Sequence, residues 1–389
     1  MYEGKLVFAQ LMDHLPLHTL RRSIACFAGD KGVKDFTCQD QFRCMAFAQL
    51  TYRDSLRDTV TCLNAHPAKL YHMGIRAEVR RSTLADANER RDWRIYASFA
   101  QALIAQARKL YAKDPLLPEL EGAAYALDTS TIDLCLSLFP WAPFERSRGA
   151  LKLHTQLDLR GNIPVLVHID HGRSYDTDIL DHLVPEPGAV YVMDRGYLDL
   201  ARLFGLAQAA AFFVVRSKTN LRLRRTASRR VDRSSGVICD QDVRPALAES
   251  ARKYPERLRR IRYRDPESGK ALVFLTNNFL LPPLTIAALY RRRWQIELFF
   301  KWIKQNLRIK TFFGVSPNAV KTQIWIAVAV YVLVALLKKR LQLEASLYTI
   351  LQMLSISILE KTPLDQLLTT QPPSIRDRRA DNQLNLFGN

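Results

Sequence analysis

Two aspartates close apolar runs in this 389-residue chain: Asp128 follows Ala-Ala-Tyr-Ala-Leu and precedes Thr-Ser-Thr, and Asp194 follows Ala-Val-Tyr-Val-Met and precedes Arg-Gly-Tyr. A short carboxylate at the end of a buried strand stands rigidly in the crevice where α/β proteins bind ligands, and can fix a metal ion. Either aspartate alone could equally be a cap or a turn former. Asp133, Asp158, Asp170, Asp176, Asp178 and Asp199 compete with them, and Asp170 is the strongest because it also ends an apolar run, Val165 to Ile169.

The third carboxylate is Glu297. On a helical wheel of about 100° per residue, Tyr290, Arg293 and Lys304 fall within a strip roughly 60° wide around it. Ile296, Leu298, Phe299, Phe300, Trp302, Ile303 and Leu307 occupy most of the remaining circumference. An ion pair between Arg293 and Glu297 one turn apart would explain those two and leave Tyr290 and Lys304 unexplained. Three carboxylates suit a pair of Mg²⁺ ions, with Mn²⁺ as a substitute, arranged for in-line displacement at a phosphate. Tyr290, Arg293 and Lys304 would then hold flanking phosphates.

These residues need a sheet and a helix to position them. Up to about Pro115 the pattern is helical: Phe8 to Leu15, Cys38 to Tyr52, Ser55 to Ala65, and one long stretch to about Tyr111 opened by a capping-box sequence, Thr83-Leu84-Ala85-Asp86. Short β-rich runs follow at Ala124 to Leu127, Lys152 to Asp158, Pro164 to Ile169, Ala189 to Met193 and Ala211 to Val215, with a helical pattern between the last two. A basic helix over about 284–309, an apolar helix over about 319–341 and a further helix from Ser346 to Leu359 complete the pattern.

The chain carries 57 Lys+Arg against 38 Asp+Glu, a net charge of +19, on a composition that is 48% hydrophobic. That excludes an acidic solvating protein and points to a polyanionic partner. From Lys218 to Lys270 there are sixteen Lys+Arg and seven Asp+Glu, and from Tyr290 to Lys310 seven Lys+Arg and one Glu. A solvated charged face is the alternative for each run. Six scattered cysteines and an N-terminus without a basic-then-apolar run point to a reducing cytoplasm. Cys38, Cys44, Cys62, His66 and His72 lack zinc-ligand spacing, and His154 and His168 fall in strand patterns. Ile324 to Leu337 is too short an uncharged run to span a bilayer, and reads as a buried core helix.

Tyr290, Arg293, Glu297 and Lys304, in that spacing, match the Tyr-Arg-Glu-Lys signature, and over roughly 120–340 the chain resembles the insertion sequence 4 family of DDE transposases. The resemblance identifies Asp128 and Asp194 with that family's first and second acidic residues. It implies an α/β, ribonuclease-H-like mixed sheet flanked by helices (118–217 and 272–345), a basic β-rich insertion (218–271) and an all-helical N-terminal DNA-binding region (1–117); the residue pattern beyond adds a C-terminal helical region (346–375) and a polar, flexible tail (376–389). It further implies cut-and-paste chemistry on double-stranded DNA at transposon ends and target, a homodimer in the synaptic complex, and metal ligation by Asp128, Asp194 and Glu297. Trp294 matches a Trp usual in the signature and could stack on a flipped base or pack in the core; Arg291 and Arg292 join the candidate DNA contacts. A nuclease without strand transfer and an inactive DNA-binding regulator are the competing readings. Separately, Gln383, Leu384, Leu386 and Phe387 resemble the peptide by which bacterial proteins dock on the replication sliding clamp.

Overall fold

The structure, a computed structural model, describes residues 4–145, 148–306 and 312–369. Gln383, Leu384, Leu386 and Phe387 lie outside the described residues.

The N-terminal third is helical: α1 (Val7–Asp13), α2 (Leu17–Cys26), α3 (Cys38–Leu50), α4 (Leu56–Asn64), α5 (Pro67–Leu70), α6 (Arg81–Arg90) and α7 (Arg94–Tyr111). The capping box that does form is at α3, where Thr37 and Asp40 exchange side-chain and backbone hydrogen bonds. The long helix expected from Thr83 is instead two. Helix α6 begins at Arg81 without a side-chain cap, and Asn318 fills the break, its amide donating to the carbonyls of Asn88, Glu89 and Arg91. Helix α2, which the sequence pattern does not single out, buries one face made of Thr19, Leu20, Ser23 and Ile24, two of them polar.

Nine strands form one sheet: β1 (Ala124–Leu134), β2 (Gly149–Asp158), β3 (Ile163–His171), β4 (Val190–Met193), β5 (Phe212–Arg216), β6 (Leu223–Arg229), β7 (Val237–Pro245), β8 (Leu258–Arg264) and β9 (Ala271–Thr276), in the order β3-β2-β1-β4-β5-β9-β8-β7-β6. Strands β1 to β3 form an antiparallel meander, and β4 and β5 run parallel to β1. Helix α8 (Leu200–Gln208), capped by the Asp199 side chain, supplies the crossover between β4 and β5. This is the ribonuclease-H-like arrangement that the sequence implies. The basic segment does not form a separate layer: β9, β8, β7 and β6 continue the sheet antiparallel from the far edge of β5, with the short α9 (Ala248–Lys253) between β7 and β8.

Alternation along the central strands divides their side chains between two cores. Ala124, Ala126, Val190, Val192 and Val214 face the core shared with the N-terminal helices. Tyr125, Leu127, Tyr191, Met193, Phe213 and Val215 face the core that includes α8. After β9 come α10 (Pro283–Arg292), α11 (Trp294–Lys301), a π-helical turn (Trp302–Asn306), α12 (Pro317–Arg340), α13 (Leu347–Ser357) and α14 (Leu364–Thr369). The expected continuous helix over 284–309 is therefore broken at Arg293 and loosened after Lys301. Helix α12 is long and apolar enough to cross a membrane, but Ala319, Val320 and every residue from Thr322 to Leu337 are buried inside the protein, chiefly against α7, α3 and α6.

Candidate active site

Strands β1 and β4 pair in parallel with Leu127 opposite Met193, so the next residues, Asp128 and Asp194, stand side by side; Asp194 directly follows the end of β4, whereas Asp128 does not end its strand as the apolar run suggests, because β1 continues to Leu134 along β2. Strand alternation sends both toward the face of Ala126 and Val192, where α10 and α11 pack. Between those helices Arg293 alone interrupts the assignment and keeps helical backbone angles (φ −52°, ψ −30°), so Tyr290, Arg293 and Glu297 stay on the side that meets the two aspartates.

The Arg293 guanidinium donates from Nη1 to Asp128 Oδ2 at 2.8 Å and from Nη2 to Glu297 Oε1 at 2.5 Å. The Tyr290 hydroxyl donates to Asp194 Oδ1 at 3.0 Å. Lys304, on the π-helical turn, donates from Nζ to the Thr131 carbonyl at 2.5 Å, three residues beyond Asp128 on β1. Burial pushes the Asp128 carboxyl up to about 6; Arg293 and the Thr129 backbone N–H oppose the shift, while Glu297 and Asp194 reinforce it. Burial likewise pushes the Tyr290 phenol up to about 12, with Asp194 adding to it, so Tyr290 remains a protonated donor.

The chemistry of this set, three hard oxygen donors feeling one another's charge, fits divalent cations. Arg293 stands between Asp128 and Glu297, and among the described residues no three His, Cys, Asp or Glu side chains cluster as a metal site. The Arg293 cation supplies the positive charge that the carboxylates require.

The competing aspartates have other employment. Asp158 is buried against Arg160, Asp133 pairs with Arg148, Asp176 with Lys152 and Asp178 with Arg202, and Asp199 caps α8. Asp170 lies on β3, the sheet edge two strands away from β1. Of the further candidate DNA contacts, Trp294 is 56% exposed at the start of α11. Arg292 is exposed, whereas Arg291 turns away and pairs with Asp265 and Glu267. The cysteines are free, two of them buried.

A second layer of residues had no assigned role in the sequence. Behind Asp128, the Thr129 hydroxyl lies 2.7 Å from the Tyr197 hydroxyl and 2.8 Å from His154 Nδ1. The signal available was local: Thr129 directly follows one aspartate, and Tyr197 follows the other by three residues.

Comparison with known proteins gives a consistent picture. Residues 122–333 match the family described as "Transposase DDE domain", and residues 3–76 match a domain of unknown function. The chain is 35% identical over 256 residues to a protein of Sinorhizobium fredii named as a transposase, covering 64% of this chain and 69% of that one. It is 31% identical over 207 residues to a protein of Geobacillus stearothermophilus named as the transposase of an insertion sequence element, covering 53% of this chain and 54% of the other. A Synechocystis protein with the same kind of name is 24% identical over 261 residues, 66% of this chain and 71% of its own.

Proposed function

Since the chain belongs to the DDE transposase family, we propose that it binds the terminal inverted repeats of an insertion sequence of the insertion sequence 4 group and moves that element by cut-and-paste cleavage and strand transfer. The observation that carries this reading is the convergence of Asp128 and Asp194 with Glu297 through Arg293 and Tyr290.

Asp128, Asp194 and Glu297 would hold two divalent ions, Mg²⁺ or Mn²⁺, whose chemistry is to sharpen an attacking oxygen and stabilise the leaving one. The chain's own groups orient the DNA around that chemistry. Arg293, released from its carboxylates, presents a planar fork that matches a phosphate. Tyr290 and Lys304 border the same shelf and add a neutral donor and a point charge beside the scissile strand. Trp294, exposed at its edge, offers an aromatic face to an unstacked base. Phosphoryl transfer between a DNA phosphate and a water or 3′ hydroxyl oxygen requires no covalent link to protein.

The N-terminal helices would supply recognition of the element's ends, and exposed arginines of the segment 218–271 would grip phosphates without reading sequence. Cutting both ends together calls for a homodimer in the synaptic complex, working on chromosomal DNA in the cytoplasm. The tail peptide would dock on the sliding clamp. The deciding experiment incubates full-length protein with DNA bearing the element's ends, with Mg²⁺ or EDTA, and with Glu297→Gln. Cleavage and joined 3′ ends that need both metal and Glu297 support the reading. Cleavage without joining selects the simple nuclease, and end binding without cleavage selects the regulator.

A further inference from the structure

Thr129 lies at the meeting point of two hydrogen-bond systems on opposite faces of the sheet. On one face its backbone N–H donates to Asp128 Oδ1 at 2.8 Å. On the other its hydroxyl sits between Tyr197 and His154. Both partners are only 2% exposed. His154 stands directly opposite Thr129 in the β1–β2 register, and Tyr197 ends the short turn that follows Asp194.

The proton inventory orders this chain. Burial pushes the Tyr197 phenol far above its usual range, so it stays a donor, and burial lowers His154 to about 4, so its ring is neutral. A hydroxyl has one proton, and one arrangement uses every donor. Tyr197 donates to Thr129 Oγ1, Thr129 donates to His154 Nδ1, and His154 Nε2–H points to Ser174 Oγ at 3.4 Å. The reverse direction strands the Tyr197 proton in a buried site.

We infer that Tyr197 and His154 act through Thr129 as positioning residues that fix the spacing and orientation of the two neighbouring carboxylates, Asp128 and Asp194. The inference rests on the proposed metal-binding role of those aspartates. Tyr197 is tied to Asp194 through the two intervening residues, Arg195 and Gly196, and to Asp128 through Thr129, so the two carboxylates share one buried anchor. Partners behind metal ligands of this kind typically change metal affinity by about 10–100-fold when removed. Neither Tyr197 nor His154 touches the reacting atoms.

The test measures Mn²⁺ binding to the full-length, DNA-free protein by electron paramagnetic resonance, alongside DNA binding in EDTA and thermal unfolding. Asp194→Asn reports on the underlying reading: if Mn²⁺ affinity is unchanged by it, the metal-site assignment fails, whatever Tyr197 does. With that control lowering affinity, Tyr197→Phe and Thr129→Val are expected to weaken Mn²⁺ binding about tenfold or more, with DNA binding in EDTA unchanged. Thr129→Ser, which keeps the hydroxyl, is expected to retain wild-type affinity. Thr129→Val and Tyr197→Phe proteins that bind Mn²⁺ as wild type does would overturn the inference. So would equal losses in Thr129→Ser and Thr129→Val. Should Tyr197→Phe fail to fold, the Ser and Val pair at position 129 decides alone.

Discussion

Arg293 and Asp128, 165 positions apart in the chain, are joined by a 2.8 Å hydrogen-bonded ion pair between the residue that separates α10 from α11 and the middle of β1. The Arg293 side chain is 13% exposed and that of Asp128 21%, so the pair is held in a partly dry setting where its charges act strongly. The second fork of Arg293 goes to Glu297. A cation thus occupies the ground between two carboxylates that the proposed chemistry assigns to metal.

The first prediction concerns pH. Asp128 has an ordinary value near 3.8 and is raised to about 6 by burial. An acid raised on folding contributes most stability below its unfolded value, and that contribution is lost as pH rises through about 4 to 6. Asp128→Asn removes the penalty for holding a buried charge. The metal-free variant is therefore expected to be more stable than wild type at pH 8, by at most about 3 kcal/mol for a shift of two units. The two should converge near pH 4. Urea unfolding at both pH values checks this; a constant difference between them would remove Asp128 as the titrating group.

Arg293→Gln separates competition from chemistry. Without the guanidinium, the carboxylates lose their resident cation, so DNA-free protein is expected to bind Mn²⁺ about tenfold more tightly and to gain more thermal stability from added Mn²⁺ than wild type does. End cleavage should nonetheless fall by about a hundredfold or more, because the phosphate loses its fork. Calorimetric titration and a cleavage assay on the same preparation measure both. Unchanged or weaker Mn²⁺ binding would show that Arg293 does not compete with the metal.

Arginines of the basic segment divide into two kinds. Arg259 is 3% exposed, pairs with buried Asp240 and donates to the Asn278 and Leu281 carbonyls. Arg224 and Arg225 stand exposed on β6, at the sheet edge. Arg259→Ala leaves Asp240 buried with less compensation and is expected to cost about 3–5 kcal/mol of stability. Arg224→Ala with Arg225→Ala should leave stability within about 0.5 kcal/mol while lowering the salt slope of DNA binding by up to about 2. An unaltered slope would make β6 a solvated face.

That division is also where sequence reading reached its limit. Counting charge over 218–270 finds the excess but not its pairing, since Asp240 and Asp242 meet Arg229, Arg257 and Arg259 only through the β6–β7–β8 register. The central strands were legible because their apolar runs are bounded by turn residues; the continuation of β1 through Thr129, Ser130 and Thr131 was not, because its polar stretch is set by pairing with β2. The wheel through Glu297 assumed a continuous helix, yet Tyr290, Arg293 and Glu297 meet the aspartates across a break. Arg293 keeps helical backbone angles across the interruption, which leaves them on one side. Arg291, adjacent in sequence, swings to Asp265 and Glu267, a partnership that depends on where the β8–β9 connection lies.

Trp294 supplies the last prediction. It adjoins Arg293 and lies three residues before Glu297, and more than half of it is exposed to water. A large aromatic left in water beside a charged shelf has more to gain from a stacking partner than from the fold. Trp294→Ala is therefore expected to leave the unfolding midpoint nearly unchanged while reducing end cleavage about tenfold or more. Trp294→Phe, which keeps a flat face, should recover much of the loss. The ring's role can also be read without cleavage, by placing 2-aminopurine at successive positions near the cut site. Fluorescence that rises on binding wild type, marking an unstacked base, should stay low with Trp294→Ala. A drop in the unfolding midpoint by several degrees in Trp294→Ala, with cleavage falling only in proportion to folded protein, would return Trp294 to a packing role.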